Sequence, residues 1–305
     1  MIVALLPKLQ PLAWIASYWS VLAFLGGLNR DTLAIGGGIL LLSYAGEKPR
    51  AFLKAILPML ITVMIYDSMR YYSDLIRDPY IRVREPYDFD KRFFGISTSQ
   101  GILTPNEWWQ LHTHWTLDLL TGFFYLSFVA IFMGMGVYYR FWGGPKAARS
   151  SERMMWAFFW TNMLGYSTYY WYPAAPPWYV AAHGLGPADL SVGASAAGCL
   201  RFDELLGTQF FTGMYGKSAD VFGAIPSLHV AYPFLAMLHA FELRSLRIFG
   251  TFFYLVMCFA AVYLNHHYIL DVIWGTAYAG IFYGIVLWLP RLQNLYKEDA
   301  SLKLS

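Results

Sequence analysis

Three side chains near the C-terminal end have the types and spacing that phosphoryl-transfer chemistry uses. His229 ends the stretch Gly223-Ala224-Ile225-Pro226-Ser227-Leu228-His229, and His267 and Asp271 lie in Tyr263-Leu264-Asn265-His266-His267-Tyr268-Ile269-Leu270-Asp271. His267 and Asp271 are four residues apart and would share one face of a helix. A carboxylate there can hold one imidazole nitrogen, fix the tautomer and leave the other nitrogen free to attack. His266 would point about 100° away round a helix, so only His267 is assigned to Asp271, and His266 is kept as a substrate-contact candidate. Pro226 suits the first turn of a helix and Ser227 suits its cap, where free backbone N–H groups make a phosphate site. His229, at the start of that helix, could give a proton to a leaving oxygen. His183 and His239, which stand alone, read as interfacial side chains.

The elements that must position these groups are membrane helices. The chain of 305 residues is 57% hydrophobic and only 13% charged, against about 25% charged in soluble domains. A net charge of +3 is too small to argue for nucleic acid. The two cysteines, Cys199 and Cys258, fall in unlike surroundings, which argues against a disulfide, and no zinc-type spacing occurs. The start of the chain lacks the pattern of a cleaved signal peptide.

Apolar runs long enough to cross a bilayer fall at 52–70, 116–139, 154–170, 227–243, 248–266 and 271–289, with weaker ones at 11–27 and 32–46. The expected fold is an all-α polytopic transmembrane bundle of six core spans plus one or two N-terminal helices. Its divisions are N-terminal membrane helices at 1–46, a catalytic core at 47–291 closed by Pro290, and a cytoplasmic tail at 292–305. Basic connectors at 47–54, 140–153 and 244–247 and after 290 alternate so that all can be cytoplasmic. Loops 71–115 and 171–226 then share the other face with both histidine stretches: a Golgi-type lumen in a eukaryote, the periplasmic side in a bacterium. The charged group at 80–92 reads as a solvated loop face. Asp67 and Arg70, three apart at the end of a span, read either as a structural ion pair or as phosphate-binding groups. Asp118, at the start of the next span, is a weaker case of the same kind.

The two histidine stretches resemble the second and third signatures of the type-2 phosphatidate phosphatase superfamily. Two departures matter. The Ser-Arg pair that usually precedes the third-signature histidine is replaced by Ala260 and Ala261, and the first signature, a Lys followed by Arg-Pro, is not evident. These departures fit the branch that contains the fungal inositol phosphorylceramide synthase catalytic subunit. That branch is also similar at Trp171-Tyr172-Pro173-Ala174-Ala175-Pro176-Pro177-Trp178-Tyr179. The similar stretches lie within residues 171–275, about a third of the chain.

The resemblance implies a membrane phosphotransferase that works through a phosphohistidine, with His267 as nucleophile, Asp271 as its charge partner and His229 as acid and base. It implies phosphatidylinositol as donor, ceramide as acceptor and diacylglycerol as product. Pro176 and Trp178 become substrate-binding candidates in a lid over the acceptor, and Arg70 a stand-in for the missing first signature. No metal or cofactor is implied, because His and Asp here serve covalent catalysis. A regulatory membrane subunit is left open. Two other readings stay open: a lipid phosphate phosphatase, with water as acceptor, and a non-catalytic lipid transporter or scaffold.

Overall fold

The computed structural model describes residues 2–99, 101–216 and 220–302. Lys303, part of the expected cytoplasmic tail, lies outside the described residues. The chain forms two compact units, Met1–Leu75 and Ile76–Ser305.

In the first unit, α1 (Ile2–Phe24), α2 (Arg30–Tyr44) and α3 (Glu47–Met69) follow one another, and the boundary at Leu75 falls within a short α4 (Ser73–Ile76). Pro7 and Pro11 lie inside α1, so this helix begins well before the apolar run at 11–27. Asn29 caps α2 from both directions: its side chain accepts the N–H groups of Asp31 and Thr32, and its own N–H donates to Thr32 Oγ1. The indole of Trp19 donates to the Thr32 carbonyl at 3.2 Å. It lies where a side chain at Gly36 would have to go, so the glycine lets α1 and α2 meet closely.

The second unit holds α5 (Arg84–Phe94), a hairpin of β1 (Ile96–Thr98) and β2 (Gly101–Leu103), and α6 (Pro105–Leu111). Two 28-residue helices follow, α7 (Trp115–Trp142) and α8 (Gly144–Trp171). The segment 171–226 carries α9 (Pro177–His183), a 3-10 turn at Ala197–Cys199, α10 (Leu200–Leu206) and α11 (Phe210–Tyr215). The chain closes with α12 (Leu228–Leu243), α13 (Arg247–Tyr263) and α14 (Ile269–Leu302). Helices α7, α8, α12, α13 and α14 pack on one another and form the core of this unit.

Each of the six expected core spans falls mainly on one helix, but the run at 248–266 outlasts α13, which ends at Tyr263. Among the described residues, α3, α7 and the Ile269–Trp288 part of α14 are long and apolar enough to cross a membrane, and α12 and α13 are shorter apolar helices. The chain is an all-α integral membrane protein. Pro290 does not end the last helix, which runs on to Leu302; a proline removes one ladder bond and can leave the flanking turns intact.

The segments outside the bundle are folded caps rather than plain loops. Backbone pairing ties three of them together at one end of the helices: Arg82 N–H donates to the Pro173 carbonyl, Ala175 N–H to Arg82, and Ala174 N–H to Phe222. Ile81, Val83, Ala175, Trp178, Tyr179 and Phe222 form an apolar core beneath this pairing. Arg84, Asp88 and Arg92 are solvated as expected for 80–92, whereas Asp90 is wholly buried.

Candidate active site

Helices α12 and α14 start side by side at this capped end. Ser227 N–H donates to the Asp271 carbonyl at 2.9 Å. A methyl group on Gly275 would overlap the Ser227 carbonyl oxygen, so the close approach of the two helix starts depends on that glycine. Two local expectations are corrected. Helix α12 begins at Leu228, after a cis Ile225–Pro226 bond, so Pro226 lies outside the first turn. Ser227 occupies the cap position through its carbonyl, which accepts from Val230 and Ala231, while its Oγ is buried and makes no cap bond.

His267 and Asp271 do not sit on one continuous helix. The chain leaves α13 at Tyr263, turns through Asn265 at φ +63°, and begins α14 only at Ile269. His267 lies in that turn, which the Ala261 carbonyl closes by accepting the N–H groups of both His266 and His267. The pair meets all the same. His267 Nδ1 is 3.3 Å from Asp271 Oδ2 and 3.0 Å from the Ala224 carbonyl, and His267 Nε2 is 3.2 Å from His229 Nδ1.

The partners of each nitrogen favour one tautomer of each ring. Nδ1 of His267 faces two acceptors and therefore carries the hydrogen. With His267 neutral, Nε2 holds the lone pair and His229 Nδ1 is the N–H that donates to it. His229 is fixed from its flank by Tyr125, whose ring stacks on it at 4.3 Å, and by Phe128 at 4.8 Å.

The other candidates are placed as follows. His266 turns away from His267: its Nε2 donates to the Ala196 carbonyl at 3.1 Å beside Cys199 Sγ, and its ring stacks on Tyr125 and Tyr215. Pro176 caps α9, and Trp178 N–H donates to the Asn265 carbonyl at 3.0 Å, so the 171–179 stretch rests on the histidine turn. Asp67 and Arg70 belong to the first unit, where they form an ion pair. Asp118 is buried; Arg201 pairs with it at 2.6 Å and Tyr263 donates to it at 2.8 Å. His239 is not interfacial. It is fully buried against Ser150 Oγ at 2.8 Å, beside Glu242.

Two residues that spacing could not find also hold the turn. Asn106 Nδ2 donates to the carbonyls of Val262 and His267, each at 3.0 Å. Asp90 accepts the N–H groups of Ile269 and Leu270.

A histidine pair beside one buried carboxylate, set at the joined starts of α12 and α14, is an arrangement suited to phosphoryl transfer. A family model described as the PAP2 superfamily matches residues 100–285, and the chain belongs to that family. It is 34% identical over 259 residues to the phosphoinositol dihydroceramide synthase of Bacteroides thetaiotaomicron, a match that covers 83% of this chain and 82% of that one. It is 36% identical over 147 residues to the inositol phosphorylceramide synthase catalytic subunit of Schizosaccharomyces pombe, covering 46% of this chain and 34% of the relative. It is 37% identical over 140 residues to the inositol phosphorylceramide synthase of Candida albicans, covering 44% and 28%. The chain thus spans about a third of the length of these fungal relatives. No solved structure matches it.

Proposed function

We propose that this protein moves phosphoinositol from phosphatidylinositol to the hydroxyl of a ceramide-type lipid and releases diacylglycerol. The observation that carries the reading is the hydrogen-bonded line from His229 through His267 to Asp271. The names of the relatives supply the substrates.

In the first step the lone pair on His267 Nε2 attacks phosphorus. The bond from phosphorus to the diacylglycerol oxygen breaks, and that oxygen takes the proton from His229 Nδ1. Asp271 stabilises the positive charge that grows on the His267 ring. The enzyme then holds a phosphohistidine diester. In the second step His229 Nδ1 takes the proton of the acceptor hydroxyl, the oxygen attacks phosphorus, and the bond to His267 breaks. The 3.2 Å between the two nitrogens leaves no room for a phosphoryl group and its leaving oxygen. The donor must therefore open the histidine–histidine contact as it enters. Ser227 Oγ, buried and without a hydrogen-bond partner among the described residues, is suited to donate to a phosphoryl oxygen at the start of α12. The cap formed by 171–226, low in charge, favours a lipid alcohol over water as acceptor.

We place this end of the bundle on the non-cytoplasmic face. Helix α12 has 16 residues, about 24 Å at the usual rise, which puts the Arg244–Arg247 connector at the far end. Tyr139, just before the basic 140–153 connector, donates to the Ser245 carbonyl at 3.0 Å, so the two basic connectors share that end.

Trapping of the covalent intermediate with an activated nitrophenyl phosphodiester tests the reading. Such a donor needs little help from an acid. His229→Ala should still form acid-labile, base-stable phosphohistidine from it, and His267→Ala should form none. Phosphoenzyme in His267→Ala but not in His229→Ala would reverse the roles.

A further inference from the structure

Asp90 is fully buried, and among the described residues no cation pairs with it. A buried carboxylate is costly unless hydrogen bonds replace its water. Here both oxygens are used: Oδ2 accepts Ile269 N–H at 2.7 Å and Oδ1 accepts Leu270 N–H at 3.0 Å. These are the first two residues of α14, whose N–H groups have no partner within the helix. The next donors are provided for locally. Tyr268 N–H donates to Asp271 Oδ2 at 2.9 Å, and Asp271 N–H donates to the Tyr268 carbonyl. The first turn of α14 therefore takes its cap from a residue 179 positions away. Asp271 Oδ2 accepts from Tyr268 N–H and faces His267 Nδ1.

We propose that Asp90 is a positioning residue for the transfer reaction, holding the first turn of α14 so that the Asp271 carboxylate stays aimed at His267. Without it, the N–H groups of Ile269 and Leu270 lose their acceptor, and the first turn of α14, which carries Asp271, is held less firmly against His267. The proposal rests on the reaction assigned above to His267. Burial pushes the Asp90 carboxyl up to about 7, the charge of Asp271 adds to the rise, and the two N–H bonds oppose it. The ionisable groups round this corner are Asp271 and Tyr268 at the start of α14, Tyr87 and Lys91 on α5, and Glu107 on α6. Asp90 accepts both N–H groups fully only when ionised, so its capping strengthens as pH rises through neutrality.

The test uses the full chain and the activated phosphodiester. The burst amplitude counts active sites, and the burst rate reports phosphoenzyme formation per site across neutral pH. Asp90→Asn keeps the volume but sets an amide N–H₂ against one helix N–H. It should lower the burst rate per site by about 10²-fold, the scale of a small misplacement of reacting groups. It should leave KM little changed and remove the part of the pH profile centred near 7. Asp90→Glu keeps the carboxylate and should recover part of the rate. An unchanged rate and profile in Asp90→Asn, or fewer active sites of normal rate, would overturn the proposal and leave Asp90 a purely structural buried group. Asp90→Glu no better than Asp90→Asn would count against it equally. His267→Ala is the control: a burst from that variant would overturn the underlying reaction instead.

Discussion

The imidazole of His267 is held on both edges, and each contact fixes a different property. Ala224 and Asp271 put the proton on Nδ1, and His229 marks where the lone pair of Nε2 points. Asp271→Asn removes the charge partner and can present N–H₂ to Nδ1, which favours the wrong tautomer. Turnover should fall by ~10³-fold or more, as when the orienting carboxylate of a Ser-His-Asp site is changed. Far-ultraviolet circular dichroism should stay unchanged. Ser227→Ala removes a hydroxyl that has no hydrogen-bond partner among the described residues, so thermal stability should hardly move. Loss of a hydrogen bond to a charged phosphoryl oxygen, worth ~1.5 kcal/mol, should lower kcat/KM about tenfold. A large drop in Tm with normal kcat/KM would count against a phosphate role for Ser227. The three proposed catalytic residues were legible because each lies in a short stretch whose order carries chemistry. Asp90 and Asn106 were not, since an aspartate in a charged loop and an asparagine near an apolar edge acquire meaning only from partners more than 150 residues away.

At the scale of elements, the site depends on two close fits. Gly275 lets α14 lie against the Ser227 carbonyl, and Asn106 on α6 bridges the end of α13 to His267. Gly275→Ala must push the two helix starts apart; overpacking of this kind costs ~1–3 kcal/mol. It should also reduce transfer more than the loss of folded protein explains, and comparison of Tm with specific activity checks this. Asn106→Ala takes the side-chain donor from the His267 carbonyl, while the Val262 carbonyl keeps the N–H of Asn265; loss of one buried hydrogen bond costs about 1–3 kcal/mol. The spacing of His267 and Asp271 implies contact on one helix; the two side chains do approach at 3.3 Å, but across a turn rather than along a helix. Four-residue spacing suggested one helix, whereas the long-range acceptor Asp90 lets α14 start late and leaves His267 in the turn. Spacing shows nothing of an acceptor supplied by another segment.

Across the whole molecule, hydropathy was enough to find the helices, because a bilayer demands long apolar runs with internally satisfied backbone. It missed the folded caps at 76–111 and 177–215, which are built from short helices and aromatic packing with no single period. The proposed orientation rests on charge bias, and it can be checked. Single cysteines introduced at the exposed positions Gly186 and Arg149 should label from opposite sides of sealed vesicles; labelling from the same side would refute the assigned face. The central claim is transfer to a lipid alcohol through His267. The most direct measurement incubates the purified chain with inositol-labelled phosphatidylinositol, with and without ceramide, and follows the label and the diacylglycerol together. The account predicts label in a ceramide phosphodiester, equal amounts of diacylglycerol, little water-soluble product, and none of this in His267→Ala. Release of phosphate from phosphatidate that outruns any transfer to ceramide, or full transfer by His267→Ala, would contradict it.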